Sequence, residues 1–216
     1  MVSLESQPHL HLVIVLSSLA LKGVLEKSRP VFERAIGARL ELHFDATQAI
    51  LPRLAASGAD LVILTAEAMQ ALRASGQVTQ VRALGASGVG VAVRAGAPKP
   101  EIGSVGALRR TLLAASSVAH SKVGASGIYF VELLEQLNIQ LKKRVVVEKG
   151  PVGLVVAAGD AELGVQQLCE LEPVPGIEIV GPLPEPLQRV THFAAGIPAH
   201  AANPQGARAL MQLLHL

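Results

Sequence analysis

Aromatic residues are nearly missing from this chain: 2% of 216 residues, with no Trp and a single tyrosine, Tyr129. Base-stacking platforms and sugar-binding surfaces need flat π faces, so the composition argues against both. Cysteine is scarcer still. Cys169 stands alone, which rules out an intramolecular disulfide, and it is expected to be a small half-buried residue rather than a nucleophile. Charged residues make up only 17%, the net charge is +2, and the basic residues are scattered, so no nucleic-acid footprint stands out. No apolar run approaches the ~18 residues of a membrane-spanning helix. Residues 1–9 carry no basic cluster ahead of a long apolar segment and no small-residue cleavage site. The expectation is therefore no signal peptide and a cytoplasmic protein as written, with a periplasmic one the alternative if a leader was removed.

What is present is aliphatic. Half the residues are apolar, and with so few aromatics the core must be Leu, Val, Ile and Ala, the composition of parallel strands covered by helices. Residues 11–16 (HLVIVL), 39–44, 60–64, 87–94, 116–119, 144–147, 162–166, 177–180 and 188–195 read as strands. Between them lie helical patterns. One runs from Leu19 to Gly37 with Pro30 kinking it, and others end near Gly58, Gly76, Ala115, Asn138 and Gly159. Pro151 is expected at the first helical position after Gly150, and Asn203-Pro204 caps a last helix over 205–216. Alternation of this kind predicts an α/β fold with mostly parallel sheets.

Three strand-to-helix corners share one pattern: a small hydroxyl residue where a strand gives way to a helix. They are Ser17-Ser18, Thr47 within Asp45-Ala46-Thr47-Gln48, and Ser126 within Gly124-Ala125-Ser126-Gly127, with Ser126 expected at the N-cap. Such corners can aim backbone N–H groups and hydroxyls at an anion, although a plain helix cap explains each one singly. His120 and Lys122, in the loop before Ser126, would add positive charge. Gln166 and Gln167 stand at a strand end, where ligands meet α/β sheets, and a buried amide there wants partners. The Gly-Ala-Ser-Gly run is not a nucleophile elbow, which needs Gly two residues after the Ser; here that position is Ile128. No phosphate-loop or dinucleotide motif occurs, and His9 with His11 lacks further ligands at metal-site spacing, so no cofactor and no metal are expected.

The segments SSLALKGVLEKSRPVFERAIG, HFDATQAILPRLAASGADLVILTAE, VGASGIYFVELLEQLNI, GDAELGVQQLCELEPVPGIEIVGPLP and RVTHFAAGI, in that order and spacing, resemble the molybdate-binding branch of the type II periplasmic-binding fold. The resemblance implies two α/β lobes, 1–86 with 189–216 and 87–188, joined by two crossover strands and gripping a ligand. It places Ser18 and Thr47 on the oxyanion and the Ala-Ser-Gly turn where backbone N–H groups help hold it. Three departures fit an organic di- or tricarboxylate at least as well as molybdate. Gln166-Gln167 replace a Tyr, Asp45 replaces a small residue, and His120 with Lys122 replace a simple polar turn.

The expected ligand-binding set is Ser17, Ser18, Thr47, Gln48, His120, Lys122, Ser126, Gly127, Gln166 and Gln167. The implied function is a small-anion-binding protein similar to the solute-binding component of ABC transporters, with a permease as partner if exported. The alternative is a cofactor-independent enzyme like the superfamily's aconitate isomerase, which moves a double bond by proton transfer. His120, or Asp45 if burial raised its pKa, would then carry the proton.

Overall fold

The structure is a computed structural model that describes residues 12–216, so the His9–His11 pair lies outside the described residues. Among the described residues, nine strands and eight α-helices follow in chain order. They are β1 (Leu12–Ser18), α1 (Lys22–Ile36), β2 (Arg39–Asp45), α2 (Thr47–Ile50), β3 (Leu61–Thr65), α3 (Ala66–Ala74), β4 (Val78–Arg94), α4 (Val105–Ala114) and β5 (Val118–Ser121). After them come α5 (Ala125–Gln136), β6 (Arg144–Val147), α6 (Val152–Ala158), β7 (Leu163–Gln167), α7 (Leu168–Leu171), β8 (Ile177–Pro182), β9 (Val190–Pro198) and α8 (Pro204–Leu213). Short 3₁₀ turns fill Leu19–Leu21, Leu51–Ala56 and Glu185–Leu187.

The chain divides into two compact units, residues up to Gly85 with His192–Leu216, and Ala86–Thr191. In the first, β1 pairs in parallel with β2 and β3, and β9 joins β3 antiparallel. Leu16, Val62 and Leu64 on one sheet face pack with Ile50, Leu54, Met69 and Leu72 from the helices. In the second unit, β5 pairs in parallel with β6 and β7, while β4 runs antiparallel to both β7 and β8. The sheets are therefore mixed rather than uniformly parallel. A strand that returns to a sheet beside a helix-connected set can enter it in either direction, and alternation of elements does not reveal which.

Side chains on β7 alternate with the pleat, as a period of two requires. Leu163 and Val165 join Val89, Val91, Leu108, Phe130 and Leu133 on one face, whereas Ala119 on β5 packs with Val152 and Val156 of α6 on the other. Gly164 permits that second contact: a Cβ there would fall 2.7 Å from Val156 Cγ2.

Local departures from the sequence pattern have physical causes. The first helix begins as a 3₁₀ turn and becomes α-helical only at Lys22; it carries Pro30 internally and ends on left-handed Gly37 at φ 67°. Pro151 is the N-cap of α6 and not its first helical residue, because Val152 is the first residue with helical geometry. β4 starts at Val78, nine residues ahead of the expected strand, because apolar and polar residues do not alternate across 78–86. Ser104 and Asn203 do cap their helices with side-chain oxygens, onto Ala107 N at 3.2 Å and Gly206 N at 2.9 Å. Among the described residues, no helix is long and apolar enough to cross a membrane.

Candidate functional site

In the first unit the parallel register brings three strand ends to one sheet edge. Ser17 lies opposite both Phe44 and Ile63, and Ser18 opposite Asp45, so the carboxyl ends of β1, β2 and β3 finish together. Ser18 is the N-cap of the 3₁₀ turn with extended backbone (ψ 159°), but its side chain makes no cap hydrogen bond. Its hydroxyl is buried and has no hydrogen-bond partner among the described residues. That is unusual, because buried polar atoms are nearly always satisfied. Ser17 is different: its Oγ–H donates to the Ser18 carbonyl at 2.8 Å, which makes it part of the scaffold.

Ala46, not a side chain, supplies the N-cap position of α2, and Thr47 is that helix's first residue. Thr47 Oγ1 accepts a hydrogen bond from Thr65 N at 3.3 Å, leaving its own O–H proton for another acceptor. Thr65 ends β3 and N-caps α3, again without a side-chain cap bond. It is a third hydroxyl at this edge that the sequence reading passed over, although it shows the same strand–hydroxyl–helix order. Gln48 is exposed. Asp45 adds little repulsion to an anion, since Arg53 Nη2 donates to its Oδ2 at 3.1 Å and Ala46 N donates to its Oδ1 at 2.9 Å. That pairing also occupies the carboxylate considered as a proton carrier.

In the second unit the carboxyl ends of β5, β6 and β7 likewise share an edge. Gly124 is the N-cap of α5, and Ser126 sits one residue inside the helix, so it is not the N-cap that its spacing predicted. The shift has a cause: Ser121 Oγ accepts from Gly124 N at 2.9 Å and starts the helix early. Ser126 is buried. Gly127 serves close packing, since a Cβ there would lie 1.8 Å from the Ser121 carbonyl oxygen.

His120 is not the cation that its loop position suggested. The ring is buried, 5.6 Å from Phe130 centroid to centroid, and faces the core. Arg144 Nη2 lies 3.2 Å from its Nε2, and its Nδ1 lies 2.9 Å from the Ser121 carbonyl. A guanidinium can only donate, so Nε2 accepts and Nδ1 carries the proton. Burial, reinforced by the Arg144 charge and opposed by the Ser121 hydrogen bond, holds its pKa below the ordinary imidazole value. Lys122 is an exposed partner of Glu148, with Nζ 3.0 and 2.9 Å from the two carboxylate oxygens.

The two glutamines point to opposite faces of β7, and the fold satisfies both. Gln167 bridges Thr191 Oγ1 and, with its amide group oriented to suit its neighbours, donates to the Ser87 carbonyl at 2.7 Å. Gln166 Oε1 accepts from Val152 N at the start of α6 (2.8 Å), and its Nε2 donates to Glu170 Oε2. Glu170, on the turn that follows β7, was not among the expected binding residues. Burial pushes its carboxyl up to about 7 against the opposing hydrogen bond from Gln166. The only signal in the sequence was a carboxylate four residues beyond a glutamine at a strand end.

The structure thus gathers Ser18, Thr47 and Thr65 at one edge and Ser126, Gln166 and Glu170 at another. It leaves Gln48 and Lys122 exposed and buries His120 elsewhere. Each edge can hold an anion with neutral donors. The second also carries the Glu170 carboxyl, whose pKa burial raises to about 7.

The pattern of a family described as bacterial extracellular solute-binding protein matches residues 13–215. An aconitate isomerase from Pseudomonas sp is 41% identical over 212 residues, covering 93% of this chain and 80% of that protein. Solved structures of the same fold include the periplasmic molybdate-binding protein of Azotobacter vinelandii (TM-score 0.74, 16% identity, 93% of this chain and 91% of that one). Another is the tungstate-binding protein TupA from Desulfovibrio alaskensis G20 (TM-score 0.58, 16% identity, 94% and 88%). At these identities the two structures speak for the fold alone, which is the type II periplasmic-binding α/β fold.

Proposed function

Because the chain belongs to the bacterial extracellular solute-binding protein family, we propose that it binds a small polycarboxylate and isomerises it as an aconitate isomerase does. The observation that carries this reading is the 41% identity to an aconitate isomerase across nearly the whole chain. The geometry agrees in kind. Moving a double bond along a tricarboxylate needs anion donors and one group that takes up and returns a proton, and needs no redox partner. Hydroxyls at Ser18, Thr47 and Thr65 and the start of α3 form one donor set, and Ser126 with the start of α5 forms another. Each set is suited to a carboxylate group. In this reading the two units are the two lobes of the binding fold, joined by β4 and β9.

The unpartnered Ser18 hydroxyl supports a ligand on that edge, since a bound carboxylate would supply the acceptor that the protein does not. A receptor without catalysis, delivering its anion to an ABC permease, is the second reading, and the family description favours it. Calorimetry with trans-aconitate, cis-aconitate, citrate, molybdate and sulfate, followed by chromatography of the aconitate samples, separates the two. The isomerase reading expects aconitate to bind and each isomer to yield the other. Binding of molybdate alone, or of aconitate without conversion, would reject it.

A further inference from the structure

Resting on the isomerase reading, we infer that Glu170 is the group that carries the proton between the two ends of the substrate's allylic unit. The argument begins with placement. Glu170 lies on the single turn of α7 at the carboxyl end of β7, held there by the Gln166 amide, whose other end is fixed by Val152 N at 2.8 Å. An amide anchored from behind fixes where the carboxyl sits, and among the described residues no Lys, Arg or His pairs with Glu170 to quench its basicity.

Elimination strengthens the case. His120 has both ring nitrogens engaged, by Arg144 and by the Ser121 carbonyl. Lys122 is held by Glu148, and the Tyr129 hydroxyl donates to the Leu187 carbonyl at 2.6 Å. Cys169 accompanies Glu170 on the same turn, but burial drives its thiol to about 12, out of reach as a base. Asp45 of the other unit is paired with Arg53. Glu170 remains.

Its surroundings suit the task. Neither β7 nor α6, both packed against α7, carries a titratable side chain. β8 contributes Glu178, whose carboxylate is held by Lys99 at 3.2 Å and by Gly96 N at 3.0 Å. On its own turn are Cys169 and, one residue beyond, Glu172. A carboxyl that burial has moved to about 7 is populated in both protonation states at neutral pH, as a group that must both accept and return a proton requires.

The step balances without a co-reactant. The Glu170 carboxylate removes a proton from the methylene carbon, and the electron pair of that C–H bond spreads across the allylic carbons. The protonated carboxyl then delivers a proton to the former vinylic carbon. One C–H bond breaks, one forms, and the double bond has moved.

The test compares wild type, E170Q and E170D with trans-aconitate across pH 5.5–9. E170Q should lose turnover by about 100- to 10,000-fold while its affinity by calorimetry stays within a few-fold, with partial activity in E170D. Wild-type kcat/KM should rise with pH and level off above about 7, and Gln166→Leu, which removes the hydrogen bond that favours the carboxylate, should move that midpoint upward. Should E170Q fail to fold, the wild-type profile decides, and a profile without a midpoint near 7 overturns the assignment. A wild type that isomerises aconitate beside an equally active E170Q overturns the role of Glu170 and leaves the isomerase reading standing. A wild type with no turnover overturns both.

Discussion

Replacing Ser18 by alanine should strengthen the ligand-free protein and weaken its hold on the ligand. The Ser18 residue is 4% exposed and its hydroxyl has no partner among the described residues. A buried hydroxyl without a hydrogen bond carries a desolvation penalty of about 1–3 kcal/mol, which alanine removes. Part of that gain is offset by the small void left behind, so the net change should be about 1 kcal/mol in favour of the variant. For a chain of this length that raises Tm by roughly 2–4 °C. Ligand binding should respond in the opposite sense. A hydrogen bond to a carboxylate contributes roughly 1.5–3 kcal/mol, which corresponds to a Kd about 10- to 150-fold weaker. Thermal denaturation without ligand and calorimetry with trans-aconitate measure the two halves. Thr47→Val is the informative contrast, because Thr47 Oγ1 already accepts from Thr65 N. Its loss should destabilise the free protein by about 1 kcal/mol or more while also weakening binding. A Ser18→Ala protein that loses stability, or binds as tightly as wild type, would refute the reasoning about this corner.

Glu170→Gln should change the pH dependence of stability. A carboxyl whose folded pKa is raised to about 7 favours folding while protonated, in full below its ordinary value, and loses that advantage as pH climbs through 7. The variant should therefore gain on wild type between pH 5 and pH 8 by roughly 1–2 kcal/mol in urea titrations, a figure discounted because Glu170 is only half-buried; a difference independent of pH would contradict the burial argument. Gly127→Ala should destabilise by about 3 kcal/mol or more, because its Cβ would collide with the Ser121 carbonyl. Gly103→Ala, with nothing within 4 Å of the added carbon, should be near neutral in the same denaturation assay. Asn203→Ala removes the α8 cap on Gly206 N and the donor to the Leu12 carbonyl, and should lower urea stability by about 1–2 kcal/mol.

The fold was largely legible because its strands are short aliphatic runs and its helices stop at glycines. Residues 144–147 were bounded as the structure has them, and Asn203 announced its helix through cap chemistry. Strand direction was less legible, since the antiparallel entry of β4 and β9 leaves no local mark. In the first unit, Ser18 and Thr47 stood out because each is a hydroxyl residue where a strand gives way to a helical turn. Thr65 hid in the same pattern, where it looked like a connector. His120 and Lys122 misled for a common reason: titratable residues in a loop suggest a charged site, but Arg144 and Glu148, far along the chain, decide what they do. Glu170 was invisible as an acid–base group because its pKa is a property of burial, and no neighbour in sequence foretells that.

Proton chemistry on a bound tricarboxylate is the central claim, and NMR in D2O tests it most directly. Wild-type protein incubated with trans-aconitate should convert it to the cis isomer and place deuterium on the allylic carbons, with no cofactor added. Aconitate that binds, shown by a shift in Tm, yet keeps its protons and its geometry through prolonged incubation would contradict the claim and leave a binding protein.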